Sequence, residues 1–296
     1  MDPPPGAPGH LQDSRGNLAG IMDIHGFEVF PSILVGCLYL LGAYAIAVGP
    51  ARRRFGWSRE PVSRRRALSW TIAVLVIFFS LNGPLHEWAD GYLFSAHMVQ
   101  HLILMLLMPP LLIYGLPHWL IRKVLEVPGV YRAARFLTHP VVAFVSYNLV
   151  FIFWHFPEMY NLALLDHNVH IVQHLSFMAV AVMMWWPIMS PVEELQRIPT
   201  GPLLMGWIFL FGIPGTVVSA LITLSNEVLY PFYAAAPRIT ALSPLDDQRL
   251  GGLIMWIPGM LVFWVAITVV FFRWTSYEYK SWKEDPEALP TGEIGP

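Results

Sequence analysis

The chain has 296 residues, of which 55% are hydrophobic and only 13% charged, whereas a soluble domain is typically about 25% charged. With a mean hydropathy of +0.52 and long apolar runs, it is expected to be an integral membrane protein. The net charge of −2 and the lack of a basic patch outside the loops beside those runs argue against nucleic-acid binding. A single cysteine, Cys37, excludes a disulfide framework and a site of several thiolates, so a metal would need His, Met, Asp or Glu.

Seven apolar segments are long enough to cross a membrane, since a spanning helix needs about 20 mostly apolar residues. They cover residues 29–49, 67–83, 96–116, 139–156, 168–188, 203–225 and 251–272. The sequence therefore predicts an all-α polytopic membrane protein with a seven-transmembrane-helix bundle over residues 29–272. Residues 1–28 are predicted to be an extracytoplasmic tail without the features of a cleaved signal peptide, and residues 273–296 a cytoplasmic tail.

The distribution of Lys and Arg predicts the orientation of this bundle. Fifteen of the 18 Lys and Arg residues lie in the loops and the tail on one side of the seven segments. Only Arg15, Arg238 and Arg249 lie on the opposite side. Cytoplasmic loops carry the excess of basic residues. The N-terminus is therefore expected outside and the C-terminus in the cytoplasm.

Histidines concentrate on the predicted outer side. Six of them lie near the outer ends of three segments, at His97, His101, His155, His167, His170 and His174. The pair that opens the third segment is spaced i, i+4, and the triple that opens the fifth is spaced i, i+3, i+7, so each set shares one helical face. At 1.5 Å per residue, the deepest of them lie roughly 7–9 Å below the segment entrances. A lone interfacial histidine, such as His25 or His86, usually needs only hydrogen bonds, but three on one stripe indicate a shared partner.

Neutral imidazole suits copper, zinc and iron, and thioether favours Cu(I). Paired histidines also hold haem in membrane cytochromes. Further side chains near the same level are possible auxiliary groups: Met98, Gln100, Met105, Gln173, Asp246, Asp247 and Met255. Methionine is more often core filler, and the two aspartates are equally compatible with a solvated loop. No HEXXH or GxSxG motif is present, so nothing indicates a hydrolase.

Four blocks of sequence together resemble the multi-span CtaG-type cytochrome c oxidase assembly factor family. In order they are SAHMVQHLILMLLMPPLLIYGLP (95–117), FWHFPEMYNLAL (153–164), HNVHIVQHLSFMAVAVMMWWPIMSP (167–191) and DDQRLGGLIMWIPG (246–259). The resemblance implies a multi-pass bacterial plasma-membrane protein that supports copper supply to a haem–copper oxidase and is not itself an enzyme. It also implies that the six histidines, Asp246 and the Gly251–Gly252 pair belong to the family's site. Gln173 departs from the pattern, because many members have an acidic residue there.

Three functions stay open from the sequence. The first is a copper-binding assembly factor whose partners are an oxidase subunit or its copper donor, besides the lipid bilayer. The second is a haem-binding membrane cytochrome or haem-handling protein that uses the same histidines. The third is a copper transporter, in which Pro109 and Pro110 would break the third helix near mid-depth, although the cytoplasmic half offers almost no ligands. Recognition of a partner is expected from side chains in the outer loops, namely Trp88, Tyr92, Tyr160, Asp166, Tyr230 and Asp246.

The orientation can be tested with reporter fusions at Arg59 and at Lys283. Both positions lie on the basic side of the bundle, so both fusions should report a cytoplasmic location. An extracytoplasmic signal at either position would overturn the predicted topology, and with it the outward position of the histidines.

Overall fold

The structure, a computed structural model, describes residues 27–284. Every regular element in that range is helical, and the range contains no strand, which confirms the all-α prediction. Most of the predicted N-terminal tail, with Arg15 and His25, and residues 285–296 of the predicted C-terminal tail lie outside the described residues.

Twelve α-helices follow one another along the described part of the chain. They are α1 Pro31–Ile46, α2 Arg64–Ser80, α3 Pro84–Gly91, α4 Phe94–Gly115, α5 His118–Leu125, α6 Val130–Leu137, α7 Pro140–His155, α8 Pro157–Leu165, α9 His167–Met189, α10 Pro202–Leu224, α11 Pro231–Ala235 and α12 Pro244–Glu284. Helix α1 continues through the π-helical turn Ala47–Ala51 to Arg54, and a 3-10 turn occupies Glu193–Leu195.

Five of these helices are long and apolar enough to cross a membrane, namely α1 with its extension, α4, α9, α10 and α12. Two further spans result if each bent pair counts as one, because α2 meets α3 at 46° and α6 meets α7 at 67°. The described residues therefore contain five to seven candidate spans, and each predicted segment coincides with one of them.

The last helix is much longer than the sequence predicted. It begins at Pro244 instead of residue 251 and ends at Glu284 instead of residue 272. Hydropathy marks only the apolar part of a span, while a helix continues wherever backbone bonding and packing support it. For the same reason the sequence missed the short helices α3, α5, α6, α8 and α11, which lie in connections.

Two adjacent prolines distort α4 without breaking it. A proline lacks the N–H that would bond the carbonyl four residues earlier, so Pro109 leaves the oxygen of Met105 without its helical donor. A π-helical turn, Ile103–Leu107, precedes the prolines, and the Met105 oxygen accepts a hydrogen bond from Trp185 Nε1 at 3.1 Å. Helix α4 therefore remains one candidate span of 22 residues, and the break expected of a transporter is not found there.

The described helices form one large core and three smaller ones, of which one lies between α1 and α2. The main core joins α4, α7, α9, α10 and α12, while Cys37 and Tyr44 of α1 pack on Trp70 and Val74 of α2. Between α1 and α9 lies a groove of about 420 Å³ whose lining includes His167, the first residue of α9. The groove thus reaches the end of the bundle where α9 begins.

A buried carboxylate fixes the start of α4 against the start of α12. Asp247, which is 0% exposed, accepts hydrogen bonds from the backbone N–H groups of Phe94 (2.8 Å) and Ser95 (3.3 Å), and from Ser95 Oγ (2.5 Å). A side chain at Gly251 would overlap the Phe94 ring. The start of α4, whose first turns carry the histidine pair, is therefore held by α12 and not by solvent.

We expect Asp247→Asn to destabilise the protein by roughly 1–3 kcal/mol, because an amide cannot accept from all three donors and leaves a buried donor unpaired. Thermal unfolding in detergent would measure the loss. Asp246→Asn is the matched control, since Asp246 is exposed and forms hydrogen bonds with Ser243 in its own turn. Equal melting temperatures for the two variants would contradict this role of Asp247.

Candidate metal centre

The histidine triple of α9 divides into one exposed and two buried side chains. Asp166 caps the helix by accepting from the N–H groups of Asn168 (2.8 Å) and Val169 (3.2 Å), which favours helix initiation at this residue. His167 is exposed, whereas His170 and His174 are 7% and 6% exposed. The stripe therefore runs from the groove surface into the core.

Four of the buried histidines form two pairs with the same distance between their Nε2 atoms. On α4, His97 Nε2 lies 2.8 Å from His101 Nε2, and on α9, His170 Nε2 lies 2.8 Å from His174 Nε2. Each pair is spaced i, i+4, which places the two rings one above the other on a helix. Four ring nitrogens therefore converge from two helices.

The two pairs also approach each other. The ring centroids of His101 and His174 are 5.3 Å apart, and those of His97 and His174 are 6.0 Å apart. One ligand atom from each of His97, His101 and His174 lies within 4.8 Å of the other two, and all three residues are buried. We call these three residues the histidine group.

Asp90, at the end of α3, is a site residue that the sequence analysis missed. Its carboxylate lies 3.2 Å from His170 Nδ1, 3.3 Å from His86 Nδ1 and 3.8 Å from His97 Nδ1. Asp90, His97 and His170 also form a second set of close ligand atoms. The signal available in the sequence was the i, i+4 spacing of His86 and Asp90 just before α4.

Polar contacts at Nδ1 of His97 determine which of its two ring nitrogens carries the proton. Tyr233 Oη donates to the carbonyl oxygen of Ala89 at 2.6 Å and lies 3.1 Å from His97 Nδ1. Burial raises the pKa of the Tyr233 phenol, so it keeps the proton that it donates. A neutral His97 then donates from Nδ1 and directs the lone pair of Nε2 inward, which is the arrangement that orients histidine ligands in metal sites.

Aromatic residues close the site on the side of the outer connections. Tyr160, Tyr230 and Tyr233 are each 1% exposed and pack around Phe94. Tyr160 and Tyr230 therefore do not belong to an exposed recognition surface, as the sequence had suggested, because the short helices α8 and α11 turn them inward. Trp88, at 44% exposure, remains available.

The two glutamines that the sequence predicted as auxiliary groups, Gln100 and Gln173, differ in their hydrogen bonding. Gln100 Nε2 donates to the oxygen of Ser80 at 2.6 Å and lies 3.0 Å from His86 Nδ1. Gln173 is 1% exposed, and neither polar atom of its side chain has a hydrogen-bond partner.

His155 lies outside both sets of close ligand atoms, and its Nδ1 donates to the oxygen of Phe151 at 2.6 Å. Met98, Met105 and Met255 line a cavity that also includes His101 and His155. Asp247 was also predicted as an auxiliary group of the metal site. It accepts a hydrogen bond at the start of α4 instead.

The donor atoms fit a borderline transition-metal ion. Imidazole nitrogens bind such ions at about 2.0–2.1 Å, so two nitrogens 2.8 Å apart can reach one ion. The side chain of Asp90 adds carboxyl oxygen atoms beside the imidazoles, and oxygen is a further ligand type that such ions accept.

Comparisons with known proteins are consistent with the resemblance seen in the sequence. The family profile Caa3_CtaG, described as cytochrome c oxidase caa3 assembly factor, matches residues 42–276. Uncharacterized proteins of Mycobacterium bovis and Mycobacterium tuberculosis are each 27% identical over 263 residues, which cover 81% of this chain and 38% of theirs. One of Mycobacterium leprae is 24% identical over 281 residues, covering 85% of this chain and 41% of its own. The chain thus spans about two fifths of the length of these relatives. No solved structure matches it.

Single alanine substitutions at His101 or His174 should reduce the metal content of the purified protein to near zero, because each removes one member of the histidine group. His167→Ala is the matched control on the same stripe, since His167 is exposed and lies outside both sets. Elemental analysis after size-exclusion chromatography would measure the retained metal. Wild-type metal content in His174→Ala would contradict the assignment.

Proposed function

The chain belongs to the cytochrome c oxidase caa3 assembly factor family, and from this we propose that it binds copper at the histidine group and supports the insertion of that copper into a haem–copper oxidase. The observation that carries the proposal is the convergence of buried ligand atoms from His97, His101 and His174 within 4.8 Å. In this role the copper is cargo, and the protein itself catalyses no reaction.

The composition of the site supports copper as the cargo. Neutral imidazole is a good ligand for copper, and the two pairs hold their Nε2 atoms together before any ion binds. Asp90 lies beside three of the imidazoles and would offset part of the charge of a bound cation, which is costly to bury alone. His170 then serves either as a fourth ligand or as the link between Asp90 and His174.

The predicted orientation would place the histidine group near the outer face of a bacterial plasma membrane, where copper arrives from outside the cytoplasm. The groove between α1 and α9 supplies an entry path, because exposed His167 and buried His170 and His174 line it in succession. His86 lines the same groove. These histidines would pass an ion inward along the stripe.

The partner would be the oxidase subunit that accepts copper or the protein that donates it. Exposed Trp88 and Asp166 lie in the connections next to the site, and Trp is enriched in protein interfaces. Docking there would bring a partner's ligands beside the groove entrance without opening the helix bundle.

The alternatives receive less support from the geometry. Axial histidines hold the iron of a haem from its two faces. The imidazoles within each pair contact each other at 2.8 Å, so neither pair can hold a macrocycle between its own two rings. For a transporter, the expected break in α4 is absent. An absorption spectrum of the purified protein distinguishes copper from haem, because only haem gives a Soret band.

Removal of the protein from its host should leave the oxidase polypeptide in the membrane but lower its copper content and activity, with partial rescue by excess copper. Complementation with His118→Ala, which alters an exposed histidine at the start of α5, should restore both, and complementation with His174→Ala should not. Metal analysis and oxidase activity of isolated membranes would measure the outcome. Full copper occupancy and activity in the absence of the protein would refute the delivery role.

A further inference from the structure

A second group of metal-binding side chains lies next to the histidine group. A cavity of about 50 Å³ is enclosed by α4, α7, α10 and α12, and no carboxylate lines it. Four thioethers and two imidazoles are in its wall: Met98, His101, Met105, His155, Met255 and Met260. The three members from α4 are spaced three and four residues apart, so they share one helical face.

The imidazole of His155 has a free lone pair at this cavity. Its Nδ1 donates to the oxygen of Phe151, so in the neutral ring Nε2 has no proton and can only accept. That nitrogen is buried and has no hydrogen-bond partner, and the residue is 7% exposed. An acceptor in this position requires a ligand, and a cation satisfies a lone pair directly.

The thioethers are held in place by close packing. A Cβ atom added at Gly212 would lie 2.6 Å from Met260 Sδ, so the glycine allows this sulfur to rest directly on the backbone of α10. Met98 is 0% exposed and Met105 is 4% exposed. Several polarizable sulfur atoms are therefore confined around one small space, at a depth where water access is low.

We propose that this cavity is a second metal site, selective for the soft monovalent ions Cu(I) and Ag(I), in which His155 Nε2 and the surrounding thioethers are the ligands. Thioether sulfur prefers soft ions, whereas Ca²⁺ and Mg²⁺ require oxygen ligands. The site rests on the proposed function only for the identity of the natural ion. His101, a member of the histidine group, also lines the cavity, so an ion can move between the two sites without leaving the protein.

The test uses the full-length protein in detergent with Cys37→Ser, so that methionine supplies the only sulfur ligands. Cys37 packs in the separate core of α1 and α2, which makes this background independent of the cavity. Anaerobic titration with Cu(I) should give two ions per chain, and X-ray absorption should show sulfur as well as nitrogen neighbours. Ag(I) should compete for the thioether site, whereas Zn²⁺ should occupy only the histidine group.

The double variant Met105→Leu, Met255→Leu should lose one Cu(I) and the sulfur signal but keep its Zn²⁺. Leucine and methionine exchange with little change in core volume, so the fold should be retained. Met205→Leu, a methionine outside the cavity lining, is the matched control and should keep both Cu(I) ions. His155→Ala should also lose one Cu(I) and keep Zn²⁺.

Two failures can be told apart. A single Cu(I) with nitrogen neighbours only would mean that the cavity holds nothing but water, which overturns the second site and leaves the histidine group intact. Binding of neither Cu(I) nor Zn²⁺ by the folded protein would overturn the proposed function as well. Two Cu(I) ions that survive the methionine double variant would also refute the thioether assignment.

Discussion

The carboxylate of Asp90 is the group around which the buried imidazoles are arranged. It comes from α3 and lies near the Nδ1 atoms of His86, His97 and His170, which belong to three different helices. A carboxylate that accepts from Nδ1 fixes both the tautomer and the orientation of an imidazole. A carboxylate 3.2 Å from His170 Nδ1 favours the tautomer that directs Nε2 toward His174, whereas in His97 Tyr233 Oη, 3.1 Å from Nδ1, takes this place. In both pairs the two Nε2 atoms lie 2.8 Å apart.

This arrangement depends on contacts that fix the backbone outside the site. The three hydrogen bonds of Asp247 hold the start of α4, and the cap by Asp166 defines the start of α9. Below the histidines, Pro109 leaves a carbonyl that only a side chain from another helix can satisfy, and Trp185 of α9 does so. The bond from Trp185 thus joins the two helices that carry the pairs, while Asp247 and Asp166 fix where each of these helices begins, so the distances between the imidazoles are properties of the bundle.

How much of this structure the sequence predicts depends on whether an interaction joins residues that are near or far apart along the chain. Apolar runs place the candidate spans, and the helical period places His97 with His101 and His170 with His174, because both are local patterns. The roles of Asp90 and Asp247 are contacts between distant parts of the chain; Asp247 bonds residues more than 150 positions away. The burial of Tyr160 and Tyr230 was likewise unpredictable, since short helices in the connections leave no strong hydropathy signal.

The ion-free geometry explains how such a site can bind an ion and still release it. When no ion is present, the two nitrogens of each pair, 2.8 Å apart, can share a proton as a hydrogen bond, so the rings keep partners in an apolar environment where unpaired groups are costly. Binding of an ion by both nitrogens would shift that proton to the Nδ1 atom of the same ring, which has no hydrogen-bond partner in His101 and His174, and release would return it. The same side-chain positions serve both states, so little reorganisation opposes either direction. A carrier would benefit from such a preformed site, because a site that collapsed without its ion would have to reopen, at a cost in free energy, before it could accept the next one.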